Sequence, residues 1–291
     1  MDWRLILSAV EQVSPPLYVL STILAFFASF LLAWKYHIFV RKTSISRSIP
    51  FMMKVNLISR FYGLFLPTAL GPVAVRWFKV TKNKDGRAFF LAASVFERLS
   101  FYFVLLVFSF FFLTFDSSGQ RIMAFKERMV PVLSFGILLV SGSMVYFTSQ
   151  SLRSCTNSLI IRIFRSTRIG QKTVAFLGNF SLKDPTPAFY AAVLCLSVLW
   201  QFFFVVRVYL LFEAAVIPLS FTHVAWIGSC VLLLQMLPIS FAGIGIREGA
   251  YAFLLSLFGL PPEKGVLIGL LFLSQMLILA TVGGLLELME K

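Results

Sequence analysis

Acidic side chains are scarce in this chain: 12 Asp and Glu stand against 26 Lys and Arg in 291 residues, and charged residues make up only 13%. Soluble globular domains carry about a quarter charged residues, so this composition excludes an ordinary water-covered surface. Histidine is nearly missing too, with His37 and His223 alone and neither beside a cysteine or an acidic cluster in sequence. That leaves no ligand set for a metal. The three cysteines, Cys155, Cys195 and Cys230, are far apart with no CxxC spacing, and read as packing residues rather than disulfide partners. No nucleophile with a base, no paired acid and base, and no nucleotide-binding loop is spelled. The chain therefore reads as a non-enzyme without a cofactor.

What is abundant is apolar. Hydrophobic residues make up 59% and the mean hydropathy is +0.89, which defines an integral membrane protein. Apolar segments and short connectors use almost all of residues 1–291, so one transmembrane domain is expected, with no stretch left for a soluble catalytic domain. The basic excess clusters at the ends of apolar runs. The positive-inside bias and anionic lipid headgroups explain that placement, and nucleic acid is not expected as a partner.

Two strings in the chain nearly repeat. Leu66-Pro67-Thr68-Ala69-Leu70-Gly71-Pro72-Val73-Ala74-Val75-Arg76 is matched by Leu237-Pro238-Ile239-Ser240-Phe241-Ala242-Gly243-Ile244-Gly245-Ile246-Arg247. In both, Leu-Pro closes an apolar run, small residues follow, and an arginine comes nine positions after the proline. Broken hydrophobic helices at matching positions of two halves point to a membrane transporter, with the bound group beside the breaks.

Loop charges set the expected topology. Residues 1–14 mix charge with apolar positions and suit an interfacial helix, and the first span is expected from Leu17 to Trp34. Lys35, Arg41, Lys42, Arg47, Lys54 and Arg60 follow without an acid, and Arg76, Lys79, Lys82, Lys84 and Arg87 form a second basic cluster. Both clusters are placed in the cytoplasm, so the apolar stretch between them must enter and leave on one side, turning at Pro67, Gly71 and Pro72. Residues 51–113 form the first repeat core. A span from Ala88 to Leu113 goes out, Asp116 to Arg128 is an outer connector, and Val130 to Phe147 returns. Residues 148–187 form a basic cytoplasmic connector.

Ala188 to Phe212 goes out again, followed by an external loop free of Lys and Arg. Residues 224–286 form the second repeat core, with Pro238 as its break. Whether 224–238 and 249–260 cross fully or re-enter stays open at this level, and the C-terminus is cytoplasmic either way, the N-terminus outside. The second motif is approached from outside and the first from inside, as an inverted repeat requires. The fold class is an all-α integral membrane protein: a polytopic helical bundle with two inverted-topology repeats and broken or re-entrant helices.

Charges inside apolar runs are the candidate binding groups, because each costs roughly 2.5–3.5 kcal/mol near the bilayer centre on insertion scales. Arg76 and Arg247 end the two motifs and suit an anion, each a fork of donors beside a helix break; the alternative is an arginine snorkelling to water. Glu97, Arg98 and Glu248 interrupt apolar runs, with Arg60, Arg207 and Glu213 as secondary candidates. Neighbours on a helix point about 100° apart, which predicts cross-pairing between the repeats: Glu97 with Arg247, and Glu248 with Arg98 or Arg76. The alternative is purely structural salt bridges. Gly71, Gly243 and Gly245 allow close approach of a headgroup, or tight helix packing.

Three stretches together resemble a known family: Phe61-Tyr62-Gly63-Leu64-Phe65-Leu66-Pro67 with Gly71 and Arg76, then Val95-Phe96-Glu97-Arg98-Leu99, then Leu237-Pro238 through Ala242-Gly243-Ile244-Gly245-Ile246-Arg247-Glu248. The chain is similar over nearly its whole length to the lysylphosphatidylglycerol synthase transmembrane-region family, the flippase-like membrane domain of the multiple peptide resistance factor and its stand-alone relatives. It departs where relatives read Pro-Gly-x-x-Gly-Gly-Asp, since Pro72-Val73 follows Gly71 here. The resemblance implies a lipid flippase of the plasma (inner) membrane that holds an anionic headgroup, of a phospholipid or a polyprenyl-phosphate lipid, in a midplane cavity, with no aminoacylation. The second reading is an accessory subunit that presents a lipid-linked substrate to a separate lipid-modifying transferase such as a glycosyltransferase.

Overall fold

The computed structural model describes residues 9–41, 47–66, 71–82, 87–149, 186–236 and 243–290. Their regular structure is helical: α1 Pro15–Val40, α2 Ile49–Phe65, α3 Gly71–Thr81, α4 Arg87–Thr114, α5 Gln120–Thr148, α6 Pro187–Ala214, α7 Phe221–Gln235, α8 Ile246–Ser256 and α9 Pro262–Leu288. Local chemistry sets several starts. Prolines occupy the first turn of α1, α2, α6 and α9, where the missing N–H costs nothing. Ser48, Thr186 and Ser220 cap α2, α6 and α7 by accepting from Phe51, Phe189 and His223 N–H groups.

Five helices, α1, α4, α5, α6 and α9, are long and apolar enough to cross a membrane. At 1.5 Å per residue each spans about 40 Å, more than the roughly 30 Å of hydrocarbon. The other four, of 17, 11, 15 and 11 residues, are too short to cross it alone. They pack as two hairpins, α2 on α3 and α7 on α8.

The boundaries depart from the sequence expectation in two informative places. α1 runs on to Val40, and Lys35, expected in a cytoplasmic loop, is 1% exposed within it. α5 begins at Gln120, so Arg121, Lys126, Glu127 and Arg128 belong to its first turns rather than to a connector reaching Arg128. The Lys126 ammonium donates to the carbonyls of Thr114 and Asp116 at the end of α4, filling acceptors that a helix terminus leaves open. Pro72 is the second residue of α3 and starts that helix instead of breaking one. The expected interfacial helix over 1–14 lies largely outside the described residues, as do most of the 148–187 connector, Pro67 and Pro238.

Contacts between helices follow a pattern. Among the described residues, exchanging α1 with α6, α2 with α7, α3 with α8 and α4 with α9 carries the main helix packings onto one another, that of α1 with α6 onto itself; the packing of α4 with α5 is left over, because α5 has no counterpart. α1 and α6 form the most extensive contact and run antiparallel, since Ser21 meets Arg207, Phe27 meets Phe203, Lys35 meets Ser197 and Phe39 meets Phe189. α2 docks on α9 and α7 on α4, so each hairpin leans on the last long helix of one half.

Two tight points fix these packings. A Cβ on Gly283 would stand 2.1 Å from the Leu57 carbonyl oxygen, so only glycine lets α9 lie this close to α2. Between α4 and α5, Asp116 ties the turn to α7: its carboxylate accepts from Ser118 N–H (2.9 Å) and Trp226 Nε1 (2.8 Å), with His223 Nε2 at 3.4 Å. Burial works against that charge, but the Ser118, Trp226 and His223 contacts outweigh it and hold the carboxyl below its usual range.

Gly283→Ala should lower stability by about 1–3 kcal/mol through overpacking, read as a fall in the melting temperature of the purified protein in detergent. Gly142→Ala, with open space at its Cβ, should leave it unchanged. Asp116 has a folded pKa below its unfolded value, so its contribution is present above the unfolded pKa and lost as pH falls through the folded one. Between pH 5 and pH 3 the wild type should lose melting temperature faster than Asp116→Asn does.

Candidate functional site

A cavity of about 310 Å³ opens between the two halves. Its wall takes Lys35 from α1, Asn56 and Arg60 from α2, Arg76 from α3, Glu97 and Arg98 from α4, Arg207 from α6 and Gln275 from α9, with apolar sides from Phe101, Phe204 and Phe272. Five cations therefore face one carboxylate. Charges this deep persist only where donors and acceptors replace water.

Glu97 is the centre of one network. Lys35 Nζ stands 2.7 Å from Oε1 and Tyr36 Oη donates to Oε2 at 3.0 Å, while Lys35 also donates to Ser197 Oγ at 3.1 Å. Both carboxylate oxygens are thus in use. Arg76 is 5% exposed, donates from Nη2 to Asn56 Oδ1 at 2.8 Å, and lies 4.3 Å from the centre of the Tyr36 ring. Asn56 is held in turn by donating to the Ser29 carbonyl. The stacking of guanidinium on a ring face is favourable where water is excluded.

Arg207 forms the second network. Its Nε donates to Gln275 Oε1 at 2.9 Å and its guanidinium sits 4.2 Å over Phe272. Gln275 Nε2 donates to Ser21 Oγ at 2.9 Å and Thr22 Oγ1 at 3.1 Å, which fixes the amide with its oxygen toward the arginine. Arg60 Nε and Arg76 Nε are buried with no hydrogen-bond partner among the described residues, and none of Arg60, Arg76 and Arg207 forms an ion pair with a described carboxylate. Arg98 donates to Tyr102 Oη at 3.3 Å.

Of the residues expected at the site, Arg60, Arg76, Glu97, Arg98, Arg207 and Gly243 come together on the cavity wall. The expected cross-pairing is not what forms. Glu97 pairs with Lys35, not Arg247, because α1 stays helical past Trp34 and carries the ammonium across to α4. Glu248 pairs with its own neighbour Arg247, at 3.1 and 2.8 Å from Nε and Nη2, and not with Arg98 or Arg76. The 100° argument fails there because Glu248 sits in the first turn of α8 and folds back to accept from Gly245 N–H at 2.6 Å, within reach of the curled arginine.

Arg247 is fully buried but stands behind the wall, 5.3 Å from the Phe272 ring centre. Gly243, at φ 77°, faces the cavity; a Cβ there would meet Gln235 Oε1 at 2.9 Å. Gly71 packs on Leu66 and Gly245, at φ 83°, is exposed, so neither lines the cavity. Glu213 is exposed at the end of α6, away from Arg207. Lys35, Asn56 and Gln275 were not anticipated, although each is a polar residue inside an apolar run. That is the available signal. Among the described residues no group of three His, Cys, Asp or Glu side chains could hold a metal ion.

Bundle and cavity together define a polytopic helical membrane protein with a cationic internal site. The chain belongs to the family described as the lysylphosphatidylglycerol synthase TM region, which matches residues 1–284. No curated protein and no solved structure matched.

Removing one member of the Lys35–Glu97 pair leaves a buried unpaired charge, so Glu97→Leu should cost about 3–5 kcal/mol. Lys35→Met combined with Glu97→Leu should recover most of it. The melting temperatures of the wild type and the two variants in detergent form the check.

Proposed function

We propose that this protein moves a lipid between the leaflets of the plasma (inner) membrane, holding an anionic headgroup in the cavity while the chains stay in the bilayer. The observation that carries this is the charge imbalance of the wall, five cations against one carboxylate that is already engaged. Arg60, Arg76 and Arg207, which form no ion pair among the described residues, favour an anion in a water-poor site, and their forked donors suit phosphate. Membership of a lipid-related membrane family supports the same reading.

The two halves are inverted repeats in this proposal. The exchange symmetry of the contacts and the antiparallel run of α1 and α6 favour it, because equivalent helices that run oppositely are related by an axis across the bundle. Hairpin α2–α3 enters from the cytoplasm and α7–α8 from outside. With five full crossings, the proposal has the N-terminus outside and the C-terminus in the cytoplasm. The chain works as a carrier and not as an enzyme, and Arg60, Arg76, Arg98 and Arg207 contact the headgroup. Glu97 positions the wall through Lys35.

Liposomes containing the purified protein should expose fluorescent phosphatidylglycerol or phosphatidic acid of the inner leaflet to an external quencher at least tenfold faster than empty liposomes. Arg76→Gln with Arg207→Gln should remove most of that acceleration. Lipid retained by the protein without faster exposure would favour the accessory role beside a transferase instead.

A further inference from the structure

The exchange that maps α1 onto α6 also maps single residues. Lys35 stands twenty positions after Pro15, the first residue of α1, and Arg207 stands twenty after Pro187, the first of α6. The repeated proline confirms the register, since Lys35 precedes Pro67 by 32 residues and Arg207 precedes Pro238 by 31. Each cation bonds to the last long helix of its own half: Lys35 to Glu97 on α4, Arg207 to Gln275 on α9. The halves thus hold one design with a chemical difference. In the first the cation meets a carboxylate, and in the second it meets a neutral amide of the same shape.

The amide leaves Arg207 oriented but uncompensated. Gln275 fills one donor direction of the guanidinium and is locked by Ser21 and Thr22, so the charge stays while the geometry is fixed. Arg76 is treated alike by Asn56, a second neutral partner whose amide is locked by the Ser29 carbonyl. Arg60 adds a third guanidinium without an ion pair among the described residues. Neutral amides at Arg76 and Arg207 hold donors in place without spending their charge.

From this we infer that the cavity selects headgroups carrying two or more negative charges on phosphate, a phosphomonoester or a diphosphate, over those with one phosphodiester charge or an added ammonium group. The inference rests on the cavity being the headgroup site. A phosphodiester supplies one charge, while a monoester supplies about 1.5 to 2 at pH 7, a closer match to several uncompensated guanidiniums. An ammonium group finds no free carboxylate among the described residues of the wall, because Glu97 there already holds Lys35 and Tyr36. Acylglycerol and prenyl lipids both offer such heads, and the head is what the wall reads.

The test is equilibrium binding to the purified full chain in detergent at pH 8, with dihexanoyl phosphatidic acid, farnesyl diphosphate, dihexanoyl phosphatidylglycerol and its lysyl ester. Phosphatidic acid and farnesyl diphosphate should bind at least tenfold more tightly than phosphatidylglycerol, and the lysyl ester should bind weakest. The two tight arms compared with each other identify the tail.

Gln275→Glu keeps the shape and gives Arg207 a carboxylate, while the Ser21 and Thr22 hydroxyls must turn from the Arg207 and Tyr18 carbonyls to donate to it. It should cut the preference for the multiply charged heads to threefold or less. Phosphatidylglycerol binding as tightly as phosphatidic acid and farnesyl diphosphate, or the lysyl ester binding tightest, overturns the inference. So does an unchanged preference in a folded Gln275→Glu. The wild-type comparison decides even if that variant fails to fold. Lipid exposure in liposomes that proceeds without this preference would sink the inference and leave transport standing; the preference without exposure would do the reverse.

Discussion

A charged group in hydrocarbon has to be given partners or water, and most of this structure follows from how its buried cations are provided for. Lys35 receives a tyrosine-supported carboxylate and a serine. Arg247 receives Glu248. Arg76 and Arg207 receive amides and ring faces. The first two are neutral as pairs, Lys35 with Glu97 tying α1 to α4 and Arg247 with Glu248 closing on itself at the start of α8. The second two keep their charge, and they face the cavity.

The hairpins make that arrangement available. A helix that crosses the membrane presents any midplane residue to neighbouring helices on all sides, whereas a helix that stops halfway leaves space at its end. α3 and α7 are 11 and 15 residues long, and their ends, with Pro72, Met236 and Gly243, reach the cavity wall. The long helices α1 and α6 close the space between them by lying against each other antiparallel. α5 stands outside this scheme, lying along α4, reaching α7 and α8 through Phe125, and leaving Phe135, Leu138 and Leu139 exposed in a face suited to lipid.

Much of the fold was legible in the sequence because it depends on composition and local pattern. Runs of apolar residues long enough to cross the bilayer gave five long helices, and the two Leu-Pro motifs located the hairpins near residues 66 and 237. Arg60, Arg76, Glu97, Arg98 and Arg207 were recognisable as site residues from the cost of charge in an apolar run. Lys35 was hidden by its place at the head of a basic stretch, where the positive-inside rule reads it as a loop residue. Asn56 and Gln275 were hidden because an uncharged amide in a membrane helix carries little cost and therefore little signal.

The sequence by itself determined that this is a multi-pass helical membrane protein with charge placed in its interior, since hydropathy, proline and glycine act on the chain locally. Only the tertiary structure decided which charges cancel. Glu97 could meet Lys35 only once α1 had continued to Val40 and packed beside α4, and Glu248 reached Arg247 only because α8 starts at Gly245. Pairing depends on the approach of side chains a few ångströms apart on different helices, and no local rule encodes that distance.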